Sequence, residues 1–439
     1  MLKRDIYEEL LNWKQSKRRK PLVLRGARQV GKTYILREFA KKEYENYVEL
    51  NFEDDPTLDG VFARRFDKEQ LAKYLSVYGG VRVQPESTLL IFDEVQASRN
   101  ALNALKYFRE NANEYHIAAA GSLLGIKLRG EKGKSFPVGQ VNLLDLYPLT
   151  FLEFLDAVGK PMLRELIQDC KRFTSFPEPF HIELIDLLKQ YYFIGGMPEA
   201  VSVYREIGNF DDVRKVHEEI IETYLLDFSK HAEKSEVIKI SLIWKSIPAQ
   251  LGKENKKFVF SAIQKSARAR EYESALQWLV DAGLIYKAYN ISTPRLPLSS
   301  YASSNIFKVY LLDVGLLGAM SSISPGLLIR GNEIFSEFRG SMVENYVAQQ
   351  LVSRYKEKLF YWTSPGKAEV DFVFPVGGSI YPLEVKAGVN LKSKSLKVYN
   401  DKYNPGILSR TSLVNLKKEK KACNYPLYAI SLFPLPSVV

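Results

Sequence analysis

Apolar residues in the first third of the chain fall in short unbroken runs, separated by stretches with helical spacing. Pro21-Leu22-Val23-Leu24, Tyr47-Val48-Glu49-Leu50-Asn51, Thr88-Leu89-Leu90-Ile91-Phe92 and Tyr115-His116-Ile117-Ala118-Ala119-Ala120 read as strands. The third holds a continuous apolar run, the pattern of a strand buried on both faces of a parallel sheet. Tyr34 to Ala40 and Ser98 to Asn111 read as helices. This alternation predicts an α/β fold on a doubly wound parallel sheet, with a ligand at the carboxyl ends of the strands.

From Leu152 the pattern turns helical. Tyr191 to Val201 joins two helices, with Gly196 able to end one and Pro198 in the first turn of the next. Residues 257–320 have another rhythm: a short helix near Ser261 to Ser266, a longer one from Arg270 to Ala282, then a stop at Gly283. Leu284 to Tyr289 and Phe307 to Leu312 read as an outgoing and a returning strand, so the order is that of a winged helix. Lys265, Arg268 and Arg270 fall where a recognition helix begins, and the module either contacts DNA or serves packing alone. Ser341 to Leu351 is an amphipathic helix with Val343, Tyr346, Val347 and Leu351 on its apolar face and Glu344 at the margin. Three strands follow: Leu359 to Trp362, Glu369 to Phe374 and Tyr381 to Lys386. The expected segments are a core over 1–157, a helical lid over 158–235, the winged helix over 236–330 and a last α/β domain over 331–439.

Composition narrows the class. A chain of 439 residues needs more than one core, and 46% hydrophobic residues rule out a disordered chain. The net charge of +11 favours a polyanionic partner without requiring one. Lys17-Arg18-Arg19-Lys20 ends a charged helical lead, and is either a nucleic-acid contact or a solvated helix end. Cys170 and Cys423 offer no disulfide framework, and His116, His181, His217 and His231 lack ligand spacing, which excludes a zinc site. Met1 to Asp5 lacks a signal-peptide core, and no apolar run reaches the ~18 residues of a membrane span. A cytoplasmic protein without a membrane partner is expected.

The chemistry begins at Gly26-Ala27-Arg28-Gln29-Val30-Gly31-Lys32-Thr33, which matches the phosphate-loop pattern G-x-x-x-x-G-K-[ST]. The glycines let the backbone aim N–H groups at phosphate oxygens, Lys32 reaches the β- and γ-phosphates, and the Thr33 hydroxyl can ligate Mg²⁺. Asp93 and Glu94 follow the apolar run of the third strand. As a pair they can merely cap a helix. After a phosphate loop they read as the Mg²⁺ ligand and the base that deprotonates the attacking water. ATP and Mg²⁺ are therefore the expected cofactors. Ser122, at a strand end, is placed to sense the γ-phosphate or that water. Asn51 either holds Glu94 away from water or starts the turn Phe52-Glu53-Asp54-Asp55-Pro56.

A second constellation lies near the C-terminus. Alternation puts Glu384 and Lys386 on one face of their strand and Asp371 on the face opposite Val370 and Phe372, with Glu344 approaching from the helix. Asp371 and Glu384, with the Val385 carbonyl, can hold Mg²⁺, and Lys386 can position its water against a phosphodiester. The alternative is a set of strand charges that pair with one another. The neighbouring Lys392, Lys394 and Lys397 favour the nuclease-like reading.

Taken together, the chain resembles the bacterial and archaeal AAA-type ATPases, related to STAND ATPases, with a winged helix and a C-terminal restriction-endonuclease-like domain. The resemblance rests on Gly26 to Thr33, Asp93-Glu94-Val95-Gln96, Gly121-Ser122 and Tyr147 to Phe154. It continues through Gly195-Gly196-Met197-Pro198-Glu199, Phe307 to Leu316, and Asp371 with Glu384-Val385-Lys386. It implies an ATPase whose nucleotide state controls a DNA-binding or DNA-cleaving C-terminal half, with DNA, a protein or a second copy as partner. A regulatory switch with an inactive last domain is the competing reading. Arg129 is the candidate arginine finger.

Overall fold

The computed structural model describes residues 2–63, 67–122, 124, 139–253, 256–265, 267–326 and 336–435, with side chains in the last stretch from residue 340 onward. It divides into two compact units: Arg4–Tyr147 with Asp281–Gly283, and the rest of the chain.

The first unit is carried by β1 (Leu22–Arg25), β2 (Asn46–Asn51), β3 (Thr88–Asp93), β4 (His116–Gly121) and β5 (Asn142–Asp145). They form one sheet in the order β2-β3-β4-β1-β5, and every pairing is parallel. The apolar runs explain this arrangement, because β3 and β4 are buried along their whole length. One face packs Val23, Val48, Leu90, Phe92 and Ile117 against Ala101, Ala104, Leu105 and Phe108 of helix Arg99–Asn111. Ser98 caps that helix by accepting a hydrogen bond from the Ala101 N–H at 2.9 Å. Helix Lys32–Glu43 buries Ile35, Leu36, Phe39 and Ala40. The expected α/β fold on a parallel sheet is thus present; β5 is an addition that its weak pattern, Asn142-Leu143-Leu144-Asp145, did not announce. Register sets Arg25 beside Gly121 and Asp145, and Asn51 beside Asp93, so the strand ends carrying the motifs share one edge.

The second unit starts with helices Phe151–Ala157, Pro161–Gln168, Glu178–Ile194, Pro198–Ile207, Phe210–His231 and Lys234–Leu251. Gly195, not Gly196, ends helix Glu178–Ile194, with φ +71° and ψ −163°, a conformation open essentially to glycine alone. Gly196 is constrained by proximity: a Cβ there would lie 2.1 Å from the Leu149 carbonyl oxygen. Its N–H donates to Asp313 Oδ2 and its carbonyl accepts from the Leu149 N–H, both at 2.6 Å. Three separate sequence motifs therefore meet in one buried knot.

The expected helix near Ser261 is a short 3-10 turn, Phe260–Ala262, and the next helix is Ala269–Asp281. An antiparallel pair follows, β6 (Ile285–Ile291) with β7 (Ala302–Leu311), and Lys257 bridges to Lys308 of β7. Helix Ser336–Tyr355 leads into β8 (Leu359–Thr363), which pairs in parallel with β6. The expected strand Glu369 to Phe374 is broken at Asp371 into β9 (Glu369–Val370) and β10 (Phe372–Val376). The cause is a change of partner: β9 pairs with β8, whereas β10 pairs with β11 (Ser379–Val385) in another sheet. That second sheet runs β10-β11-β12-β14-β13, with β12 (Leu408–Ser412), β13 (Lys417–Glu419) and β14 (Ala422–Pro426). Among the described residues no helix is long and apolar enough to cross a membrane.

Candidate functional site

The phosphate loop leaves β1 through a turn that admits only glycine. Gly26 has φ +152°, and a Cβ there would stand 2.2 Å from the Leu146 carbonyl oxygen. Gln29 and Gly31 follow with φ of +66° and +92°. Such changes of hand turn consecutive N–H groups into an anion-binding concavity ahead of a helix N-terminus. Ala27 and Val30 are buried and anchor the loop, while Arg28 and Gln29 are half-buried. Arg4, which the sequence gave no reason to single out, braces it: its guanidinium donates to the carbonyls of Val30 at 3.1 Å and Tyr147 at 2.6 Å.

Lys32 is buried, and its ammonium donates to the Gly26 and Ala27 carbonyls at 3.0 and 2.8 Å. Burial pushes this ammonium down to about 8, against the opposing pull of Glu94 and Asp93. The Thr33 hydroxyl lies 2.9 and 3.0 Å from the two oxygens of Asp93. Burial raises the Asp93 carboxyl, and the Thr33 hydrogen bond works against that rise. The two oxygen donors expected to share a hard cation therefore already meet, so the residues present fit Mg²⁺.

Glu94 sits just past β3 with φ +45°, a left-handed conformation that is costly for a residue with a Cβ. Its Oε2 accepts from Gln96 Nε2 and lies 3.4 Å from Ser122 Oγ. Gly121 leaves the room that Gln96 occupies, since a Cβ there would stand 2.1 Å from the Gln96 amide oxygen. Lys32, Thr33, Asp93, Glu94 and Ser122 are thus brought together, as the motifs imply. Asn51 is not a partner of Glu94. Its amide donates to Asp54 at 2.7 Å and its oxygen accepts from the Glu53 and Asp54 N–H groups, so it starts the turn. The residue that restrains Glu94 is Gln96, and its place two residues after Glu94 was the available signal. Arg129 lies outside the described residues.

The C-terminal constellation is assembled differently from the expectation. Glu344 is buried on its helix; its Oε1 accepts from Lys308 Nζ at 2.9 Å and from the Tyr310 hydroxyl, and Lys256 pairs with its Oε2. Burial works to raise this carboxyl, but Lys256 and Lys308 outweigh it and bring it down to about 2. Asp371 Oδ2 accepts from the Val385 N–H at 2.8 Å, while burial and the nearby Glu344 push its carboxyl up. Glu384 and Lys386 share a face, as alternation requires, but they pair with each other at 2.5 Å, and Glu384 Oε2 accepts from Ser393 Oγ. Among the described residues no three carboxylates, imidazoles or thiols gather so as to hold a metal ion. Asp371 Oδ2 accepts from the Val385 N–H and both Glu384 oxygens are engaged by Lys386 and Ser393, so the expected Mg²⁺ would have to displace those donors.

Comparison with known proteins separates the parts. Residues 18–155 match the family described as an AAA domain. Residues 185–326 and 339–433 match two domains of unknown function, DUF8612 and DUF4143. No curated protein matches the chain. Among solved structures it is similar to the Walker-type ATPase PABY2304 of Pyrococcus abyssi, at 15% identity and a TM-score of 0.44, covering 73% of this chain and 96% of that one. It is also similar to the RuvB Holliday junction branch migration motor of Thermotoga maritima, at 15% identity, TM-score 0.29, and 67% and 90% coverage. A third is the ORC1 protein of Aeropyrum pernix in complex with DNA, at 12% identity, TM-score 0.29, and 72% and 90% coverage. With its phosphate loop at the strand ends of a five-stranded parallel sheet, the chain carries an AAA-type P-loop ATPase domain over residues 18–155.

Proposed function

We propose that the chain is a Mg²⁺-dependent ATPase that works as a switch, its nucleotide state controlling DNA binding by the second half. The observation that carries the ATPase reading is the contact of Thr33 with both oxygens of Asp93, beside Lys32 and Glu94. The loop from Gly26 to Thr33 binds the phosphates through its N–H groups. Lys32 exchanges its carbonyl partners for phosphate oxygens. Thr33 and Asp93 would hold Mg²⁺, which would supply positive charge to the phosphates. Glu94 takes the proton of the attacking water, and Gln96 and Ser122 set its carboxylate until it turns to that task. Replacing Lys32 by Ala should abolish tight ATP binding and turnover. Undiminished turnover in that variant would reject the assignment.

DNA contact is assigned to Lys265, Arg268 and Arg270, all exposed around the start of helix Ala269–Asp281. The element order around them supports a winged helix. Neutralising a phosphate contact flattens the salt dependence by about one unit. The triple alanine variant should therefore bind duplex DNA more weakly and with a shallower slope. Unchanged affinity and slope would make this region a packing module. For the last domain, the ion pairs of Glu344, Glu384 and Lys386 favour the reading without DNA cleavage.

A further inference from the structure

One buried charge lies within the stretch Phe307 to Leu316 but belongs to neither constellation. Lys308 points from β7 into the interior of the second unit with its side chain wholly buried. Its ammonium lies 2.9 Å from Glu344 Oε1, 2.5 Å from Glu369 Oε1 and 3.9 Å from Asp371 Oδ1. The Tyr361 ring centroid is 4.9 Å away. Lys256, at the head of the same β-bridged segment, neutralises the other oxygen of Glu344. The acids all come from the region matching one family of unknown function, and both lysines come from before it.

Glu344 is buried, Asp371 largely so, and Glu369 about a third exposed; carboxylates so placed need a counter-charge, which can come from a metal ion or from a buried lysine. A hard divalent ion demands several oxygens at about 2.0–2.6 Å on different sides. Here the space among three carboxylates is taken by a nitrogen that can only donate hydrogen bonds. An ion beside it would meet like charge in a medium that screens poorly.

We infer that Lys308 stands in for the divalent cation: with Lys256 it supplies the counter-charge to Glu344, Glu369 and Asp371, and the centre takes no metal ion while β7 is in place. These ion pairs also tie the 256–308 segment to the last domain, and this inference does not depend on the ATPase reading.

Mn²⁺ binding to the full chain tests it, followed by paramagnetic resonance without nucleotide, in an Asp93→Asn background that silences the phosphate-loop site. The parent and Asp371→Asn should give the same titration. Lys308→Ala should gain one bound Mn²⁺ and a Mn²⁺-dependent rise in melting temperature, both lost when Asp371→Asn is added. A Mn²⁺ site in the parent that vanishes with Asp371→Asn would overturn the inference. So would a folded Lys308→Ala chain that gains no ion. If Lys308→Ala does not fold, the comparison of parent with Asp371→Asn decides alone.

Discussion

Gly196→Ala should be among the most damaging single-methyl additions in the second unit. Its Cβ would lie 2.1 Å from the Leu149 carbonyl oxygen and 2.8 Å from the Leu149 nitrogen, where ordinary contact begins at 3.4 Å. Both neighbours are backbone, so relief requires the two chains to separate by about 1.3 Å, enough to break hydrogen bonds of normal length. Two such bonds are at stake: Leu149 N–H to the Gly196 carbonyl, and Gly196 N–H to Asp313 Oδ2, both 2.6 Å. Leaving buried partners unsatisfied costs about 1–3 kcal/mol each, so a loss of about 3–5 kcal/mol is expected. At about 2–4 °C per kcal/mol for a large domain, the melting temperature should fall by roughly 6–20 °C. Gly208→Ala is the internal control. It has φ +72° and nothing within 4 Å of the added methyl, so only left-handed strain of about 1–2 kcal/mol remains. Thermal unfolding followed by tryptophan fluorescence compares the two. If Gly196→Ala melted no lower than Gly208→Ala, the steric argument would fail.

Gln96→Ala should free Glu94 and raise basal ATP turnover several-fold with KM for ATP unchanged; a fall in kcat, or a change confined to KM, would remove Gln96 as a restraint. Gly121→Ala should mimic it, because the new methyl displaces the Gln96 amide. His217 is pushed down to about 3 by burial, so it is neutral in the fold while the unfolded chain takes up a proton near 6.5. Its contribution is fully present above pH 6.5 and is lost as pH falls toward 3, by about 1.4 kcal/mol per pH unit. His217→Gln should therefore flatten the acid side of the stability profile between pH 6 and 4. An equally steep profile in that variant would rule out His217 as the source.

The residues of the proposed nucleotide site were legible because their constraints are local. Gly26, Gly31, Lys32 and Thr33 lie within one loop, and Asp93 and Glu94 end one continuous apolar strand. Gln96 was not, because its contact depends on the left-handed turn at Glu94 and on β4 bringing Gly121 alongside. In the last domain, Glu369 to Phe374 reads as one strand, alternating as far as Phe372 and apolar from there, and nothing in it marks the change of sheet at Asp371. That break is set by which strands arrive from elsewhere. Helix Lys394–Tyr403 was hidden for a different reason: it buries only Leu396 and Tyr399, and its lysines read as a charge run. Lys308 looked like an ordinary residue of an alternating strand, since its partners lie 36 to 63 positions further along.

The most direct test of the central claim is single-turnover phosphate release by Glu94→Gln beside the parent chain, both loaded with Mg²⁺·ATP. The substitution leaves Thr33, Asp93 and Lys32 in place and removes only the proton acceptor. ATP should remain bound in stoichiometric amount while the release rate falls on the order of 100-fold or more. Release at the parental rate, with ATP bound, would contradict the assignment of Glu94 as the base and with it the hydrolytic site described here.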